Sequence, residues 1–219
     1  MLDKLMENPK ILSIIYFILA VLILLYHILF THDVSGIAYA LCMPLFLLIA
    51  PVVYKLFRLK PVTRLSNDVV IYAFLAFGIG VALHKFRDWD PYYDKAVHVV
   101  AGYFFAMIGI CAFYYMKKEK TIDPSTDLPT ALVLSVTFSV TIGVIWEIME
   151  FVLNLINHSD PQRVADTGVT DTMLDLIADL GGALLAAYFL WLFLKKGKQV
   201  GPMIKTFDEF CKTNIFGLF

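Results

Sequence analysis

Seven ionisable side chains lie in or beside segments whose other residues are almost all apolar. They are Asp94, His98, Glu147, Glu150, Asp171, Asp175 and Asp179. A carboxylate at the centre of a membrane helix costs roughly 2.5–3.5 kcal/mol, and several together cost on the order of 10 kcal/mol, which is comparable to the stability of a whole domain. Residues of this kind persist where they bind a ligand, pair with each other or line a hydrated cavity. Their chemistry is therefore the best indication of what the protein does.

The spacing of these residues places them on one edge of each of three predicted helices. The first segment holds an aspartate and a histidine four residues apart, the second holds two glutamates three residues apart, and the third holds aspartates at every fourth residue. Residues three or four apart share one face of a helix. Each helix therefore presents one polar edge, and together the three edges offer six carboxylates and one imidazole.

Six neighbouring carboxylates cannot all ionise unless a cation lies among them, and the sequence leaves three sources of positive charge open. Carboxylates with one imidazole suit one or two divalent metal ions, and Mg²⁺, Ca²⁺, Mn²⁺, Fe²⁺ and Zn²⁺ are all compatible with this donor set. Alternatively, Arg87, Lys95 or Arg163 folds back and pairs with the acids. In the third alternative some of the acids stay protonated and relay protons.

Most of the seven residues also have a purely structural interpretation. Asp171 stands at a predicted helix start and is suited to cap it, and Asp94 can cap an earlier helix in the same way. The two glutamates lie towards the end of their segment, where a long side chain can reach the membrane interface. Asp175 and Asp179 are the hardest to explain in this way, because each follows at least one full turn of apolar helix.

The surrounding composition is that of a polytopic membrane protein. The 219 residues are 59% hydrophobic and 17% charged, and the mean hydropathy is +0.74. Soluble domains carry roughly 25% charged residues, and the net charge of −1 gives no indication of nucleic-acid binding. Six segments approach the length of about 20 residues that crosses a bilayer. We predict an all-α fold, a single domain with six transmembrane helices, over residues 11–31, 36–57, 68–86, 94–116, 129–156 and 171–194.

The distribution of lysine and arginine predicts the orientation of the chain. With the N-terminus inside, fourteen of the 18 basic residues lie in inner segments and four in outer segments, which is the positive-inside pattern. We therefore expect a plasma (inner) membrane protein with both termini in the cytoplasm. In this orientation all seven ionisable residues fall in the outer layer, although the assignment of spans did not use them. This agreement predicts one shared site that is open to the outer face.

Three flanking features complete the predicted arrangement. The polar stretch over residues 157–172 is suited to cover the site. Gly181 and Gly182 follow Asp179 closely, and small residues there let the last span pack tightly against a neighbour. Apolar residues share one face over residues 202–216, which predicts an amphipathic helix on the cytoplasmic leaflet.

Three short sequences, DKAVH at 94–98, EIME at 147–150 and DTMLDLIADLGGALL at 171–185, carry a resemblance to known families. The chain resembles the VanZ-like proteins, small bacterial membrane proteins with an Asp-Lys-x-x-His element, a Glu-x-x-Gln element and an Asp followed by Asn and glycines. The Asp-Thr-x-x-Asp pattern of residues 171–175 is similar to that of the YjdF-like inner-membrane family. The resemblance covers about residues 90–190 and implies a polytopic membrane location. VanZ-like proteins are associated with glycopeptide and lantibiotic resistance, so it also suggests a role at the cell envelope.

Two departures from that pattern add negative charge. Glu150 stands where the VanZ-like pattern has Gln, and Asp179 stands where it has Asn. Both departures favour a bound cation.

The function that we predict first is a metal-dependent membrane hydrolase. One or two divalent ions would be held by Asp94, His98, Glu147, Glu150, Asp175 and Asp179. A free carboxylate, Asp171 or Glu150, would act as general base. The substrate would be a lipid or a lipid-linked envelope intermediate, an amphiphile that enters from the outer leaflet.

Two other functions stay open at the level of sequence. In the first, the protein is a non-enzymatic transporter coupled to a cation or to protons, or a ligand-binding resistance protein. In the second, it is a structural subunit whose acids merely pair. The inner halves of the fourth and sixth predicted spans are almost purely apolar, and a site confined to one side favours an enzyme or a receptor over a transporter.

Overall fold

The computed structural model describes residues 7–8, 10–32, 34–79, 91–158 and 161–215. Within these ranges all regular secondary structure is helical. The α-helices are α1 (Ile11–Tyr26), α2 (Val34–Cys42), α3 (Ile49–Leu56), α4 (Thr63–Ala73), α5 (Pro91–Met116), α6 (Leu128–Asn157), α7 (Val164–Thr167), α8 (Thr170–Lys196) and α9 (Ile204–Thr213). Turns of π-helix extend α1 over His27–Thr31 and α4 over Phe74–Ile79, and a 3-10 helix over Met43–Leu48 joins α2 to α3.

Five helical stretches of the described chain are long and apolar enough to cross a membrane. They are Ile11–Thr31, Gly36–Leu56, Tyr93–Met116, Leu128–Ile156 and Thr170–Lys196. Each agrees with one predicted span to within two residues at both ends, which confirms an all-helical protein with several spans. The sixth predicted span, 68–86, is helical as far as Ile79, and the remainder lies outside the described residues, so the count of six stays a prediction.

The chain divides into two compact units, residues 1–93 with 205–219, and residues 94–204. The core of the first unit joins α1, α4 and the 3-10 segment through a cluster that includes Tyr16, Ile23, Met43 and Val70. The Tyr16 hydroxyl donates a hydrogen bond to the Met43 carbonyl oxygen over 2.9 Å. This bond satisfies a buried phenol and fixes α1 against the 3-10 segment.

Helix α9 also belongs to the first unit, apart from its first residue, and its amphipathic pattern is used for packing within the protein. Phe207 and Phe210 are buried. On the polar side, the Thr206 hydroxyl donates to Asp68 over 2.7 Å, and the Arg64 guanidinium lies 3.4 Å from Glu209. The helix that the sequence predicts over residues 202–216 is therefore present, and the protein covers two of its aromatic side chains. Its placement on the cytoplasmic side stays a prediction.

The second unit contains α5 from Asp94 onward, together with α6, α7 and α8, and α5 and α8 approach each other with almost no side chain between them. A methyl group on Gly182 would lie 2.0 Å from the Val99 carbonyl oxygen, and one on Gly102 would lie 2.0 Å from the Asp179 carbonyl oxygen. Across the other side of α5, the Ser139 hydroxyl of α6 donates to the Gly102 carbonyl over 2.7 Å. Small residues and buried hydroxyls are the usual means by which membrane helices pack closely.

The two adjacent glycines of α8 are expected to respond to alanine in opposite directions. Gly182→Ala places a methyl group against backbone atoms that cannot move aside, so we expect a loss of about 1–3 kcal/mol. Around Gly181 nothing among the described residues lies within 4 Å of the added carbon, so Gly181→Ala should gain about 0.5–1 kcal/mol from the lower entropy of alanine in a helix. Thermal unfolding of both variants in the same detergent measures this difference. Equal melting temperatures would contradict the close contact.

Candidate functional site

A cluster of ionisable residues lies between the first turns of α5 and the first turns of α8. We call it the aspartate cluster, and it consists of Asp94, Lys95, His98, Asp171, Asp175 and Asp179. The i, i+4 spacing aligns the acids along one edge of each helix. The contact at Gly102 and Gly182 then brings the two edges together.

Lys95 is the bridging cation of the cluster. Its ammonium Nζ donates to Asp171 Oδ1 and to Asp175 Oδ1, each over 2.7 Å, and lies 3.4 Å from Asp94 Oδ2. Of the basic residues that the sequence left open as partners, Lys95 is therefore the one that the structure places among the acids. Arg87 lies outside the described residues, and Arg163 immediately precedes α7.

His98 stands deeper in the cluster with one ring nitrogen towards each of two aspartates. It is 8% exposed, with Nδ1 at 3.3 Å from Asp179 Oδ2 and Nε2 at 3.5 Å from Asp175 Oδ1. With its proton on Nδ1, the ring donates to Asp179 and turns the lone pair of Nε2 towards Asp175. A carboxylate that orients a histidine in this way is the usual outer support of a metal-binding imidazole.

Three residues of the cluster form a set with the geometry of metal ligands. Asp94, His98 and Asp175 each offer one donor atom, and these atoms lie within 4.8 Å of one another. Carboxylate oxygen and imidazole nitrogen together suit a borderline or hard divalent cation.

The cluster has an excess of negative charge and one unsatisfied oxygen. Four aspartates face one lysine and one histidine, so negative charges outnumber positive ones even when His98 is protonated. Asp171 is buried, and its Oδ2 has no hydrogen-bond partner among the described residues. A buried carboxylate oxygen without a partner is costly, and both features favour an additional cation or a transferable proton.

Helix α6 reaches the cluster through a glycine. A methyl group on Gly143 would lie 2.3 Å from Asp179 Oδ2, so the α6 backbone lies directly against that carboxylate. One turn further on, Glu147 accepts a hydrogen bond on Oε2 from the Gln162 amide over 3.0 Å. Glu150 accepts one from the Trp146 indole over 3.0 Å. The set of three ligands contains neither glutamate, so their role as ligands stays a prediction from the sequence.

Two residues of this region were not singled out from the sequence. Gly143 lies four residues before Glu147 on the same helix face, and a small residue in line with a polar edge is the signal that could have indicated it. Gln162 lies in the polar stretch 157–172 that was expected to cover the site, and the structure directs its amide to Glu147. No spacing rule connects a loop residue with a particular carboxylate.

Comparison with known proteins identifies the family. Residues 11–196 match the family DUF2238, which is described as a predicted membrane protein. The chain belongs to this family. An uncharacterized protein of Thermotoga maritima is 32% identical over 100 residues, which are 46% of this chain and 48% of that protein. The match therefore spans about half the length of that relative, and no solved structure matches the chain. Family membership supports a membrane location.

The bridging role of Lys95 predicts a loss of stability when its charge is removed. Lys95→Met leaves Asp171 and Asp175 buried without their ammonium, and removing one partner of a buried ion pair costs about 3–5 kcal/mol. The Lys95 side chain is 20% exposed, so we expect the lower end of that range. Thermal unfolding in detergent measures the loss.

A matched control and a double variant make this prediction specific. Lys195→Met removes an exposed lysine from the last turn of α8 and should change the melting temperature much less. In an Asp175→Asn background the cost of Lys95→Met should shrink, because one of the two uncompensated charges is absent. If Lys95→Met and Lys195→Met melt alike, the ammonium is not bound between the aspartates.

Proposed function

We propose that this DUF2238 protein binds one divalent metal ion at the aspartate cluster and uses it to hydrolyse a lipid or lipid-linked envelope substrate. The observation that carries the proposal is the set of three donor atoms on Asp94, His98 and Asp175 within 4.8 Å of one another. Each donor is of a type that divalent ions accept.

The residues around this set support metal binding. Asp179 lies 3.3 Å from His98 Nδ1 and is positioned to orient the ring. The excess of negative charge in the cluster would be reduced by a divalent ion. Lys95 donates to Asp175 Oδ1 and to Asp171 Oδ1, so its ammonium would compete with the proposed ion for the Asp175 carboxylate.

A bound divalent ion would supply Lewis acidity to a phosphoryl or carbonyl group and would lower the pKa of a coordinated water. Asp171 is the residue that we propose as general base, because its unpartnered Oδ2 can accept a proton while Oδ1 stays on Lys95. Glu150, the other general base that the sequence suggested, is bonded to Trp146. A second ion held by Glu147 and Glu150 stays a prediction from the sequence.

The proposed placement follows from the distribution of basic residues and from the resemblance at 94–98, 147–150 and 171–185. We propose the plasma (inner) membrane, cytoplasmic termini and a cluster that faces outward. VanZ-like and YjdF-like proteins share these motifs in part, and an envelope role links an outward site to an amphiphilic substrate. A substrate of this kind reaches the cluster from the outer leaflet.

A second candidate function, proton or cation relay, rests on a different observation. Asp171, Lys95, Asp175, His98 and Asp179 form a continuous chain of charged contacts of 2.7–3.5 Å. Chains of this kind conduct protons in pumps and transporters. This series of contacts ends at Asp179, where the α5 and α8 backbones meet. A relay would need polar groups through the full depth of the membrane, so we propose hydrolysis first.

Metal analysis tests the first step of the proposal. Purified protein in detergent, stripped with chelator and then titrated separately with Mn²⁺ and Zn²⁺, should bind about one ion per chain. His98→Ala and Asp175→Asn should abolish binding, and Asp179→Asn should weaken it about 10–100-fold because the support of the imidazole is lost. Lys95→Met should bind at least as tightly as the unaltered protein, because the competing ammonium is absent.

Asp166→Asn is the control for these titrations, since Asp166 is exposed on α7. Its affinity should equal that of the unaltered protein. The proposed metal site would be contradicted if the protein bound neither ion. It would also be contradicted if the ligand variants bound as tightly as Asp166→Asn does.

Activity and proton flux separate the two candidate functions. In proteoliposomes with Mn²⁺ or Zn²⁺, hydrolysis of a fluorescent phospholipid or of a prenyl diphosphate should be abolished by chelator. Asp171→Asn should retain the metal and lose turnover by about 10²–10⁴-fold, which is the usual contribution of a general base. Proton flux into the same vesicles should be absent. Proton flux that Asp179→Asn removes, in vesicles without hydrolysis, would instead establish the relay.

A further inference from the structure

A second feature of the 94–204 unit, separate from the aspartate cluster, is a groove lined by α6, by residues 162–169 (here called the α7 segment) and by α8. Its volume is about 440 Å³, within the roughly 300–1,000 Å³ of small-molecule sites. We call it the Glu147 groove. Most of its wall is apolar, with Val144, Ile148 and Phe151 from α6, Val164 and Val169 from the α7 segment, and Leu176 from α8.

The groove contains one buried carboxylate that the protein satisfies only in part. Glu147 is 5% exposed, and its Oε2 accepts from the Gln162 amide over 3.0 Å. Among the described residues no group hydrogen-bonds to Oε1, and that oxygen is itself inaccessible to solvent in the side chain's present position. The Gln162 amide is neutral, so it leaves the charge of an ionised Glu147 uncompensated. A ligand that brings both a hydrogen-bond donor and a positive charge would supply what is missing.

The outer wall of the groove lies on a surface that a bilayer would cover. Ile148 and Phe151 are 56% and 53% exposed, although both are apolar, and both belong to α6, one of the stretches able to span a membrane. Exposed apolar side chains on a membrane helix face lipid. A ligand therefore reaches the groove from the acyl-chain region, and its body must be apolar.

We propose that the Glu147 groove binds an amphiphile with a primary ammonium head and an apolar chain, with the ammonium on Glu147 Oε1. The ammonium offers three donors and the compensating charge, and the chain lies against the aliphatic wall. Gln162 donates to Oε2 of the carboxylate, so Oε1 is the oxygen left for the ammonium. This inference gives Glu147 a role that needs no metal, and it stands or falls independently of the proposed hydrolase.

The experiment uses the full chain in phosphatidylcholine nanodiscs, with radiolabelled dodecylamine as the probe and empty nanodiscs as the background. Saturable binding of about one dodecylamine per chain above the background is expected. Glu147→Gln keeps the size of the side chain and removes its charge, and it should weaken binding at least tenfold. Asp166→Asn, an exposed change on α7, should bind as the unaltered protein does.

Two further measurements control for loss of folding and for an effect of the proposed metal site on dodecylamine binding. Leu176→Trp reduces the volume of the groove from α8 and leaves Glu147 unaltered in sequence, and it should also abolish binding while the melting temperature stays within a few degrees. His98→Ala removes a ligand of the proposed metal site and should leave dodecylamine binding unchanged. Dodecylamine that binds Glu147→Gln normally would overturn the proposal.

The chemistry of the head group and its source are decided by competition. Dodecanol that competes as well as dodecylamine would show that Glu147 recognises a neutral donor, and this would overturn the ammonium assignment. Phosphatidylethanolamine that displaces the probe would identify a membrane lipid as the source of the ammonium. If it fails to displace the probe while dodecylamine binding stays dependent on Glu147, the ligand is a single-chain amine.

Discussion

The contact between the α5 and α8 backbones at Gly102 and Gly182 is the constraint on which the rest of the 94–204 unit depends. Without a Cβ on either glycine the two helices come close enough for His98 to lie within 3.5 Å of two aspartates on the neighbouring helix. A side chain at either position would push the two helices apart and lengthen these contacts, and buried carboxylates with weaker partners are costly. Close packing and the polar cluster therefore require one another.

The sequence predicted well what depends on a single helix. Apolar length located five spans to within two residues, and the i, i+4 spacing placed Asp171, Asp175 and Asp179 on one face. It could not predict how α6 is rotated about its own axis. That rotation sets Gly143 against Asp179 and directs Glu147 to Gln162, so a glutamate that was grouped with the aspartates is bonded elsewhere. Rotation is decided by packing between helices, which periodicity does not encode.

Lys95 gives the cluster a property that a site built from acids alone would lack. Its ammonium holds Asp171 and Asp175 together, so the protein itself keeps these two carboxylates in place. Preorganisation of this kind lowers the cost of ordering at the moment of binding. The same ammonium would compete with a divalent ion for the Asp175 carboxylate. A site with both properties would bind a divalent ion reversibly rather than as a permanent structural ion.

The aspartate cluster and the Glu147 groove share helix α8, and α6 contacts the first and lines the second. On α8, Asp171 and Asp175 belong to the cluster, whereas the next residues, Thr172 and Leu176, line the groove. Consecutive residues lie about 100° apart around a helix, so two adjacent faces of α8 form part of the cluster and part of the groove. On α6, Gly143 abuts the cluster and Glu147 lines the groove one turn further along. The orientation of α8 about its own axis therefore sets the walls of both sites.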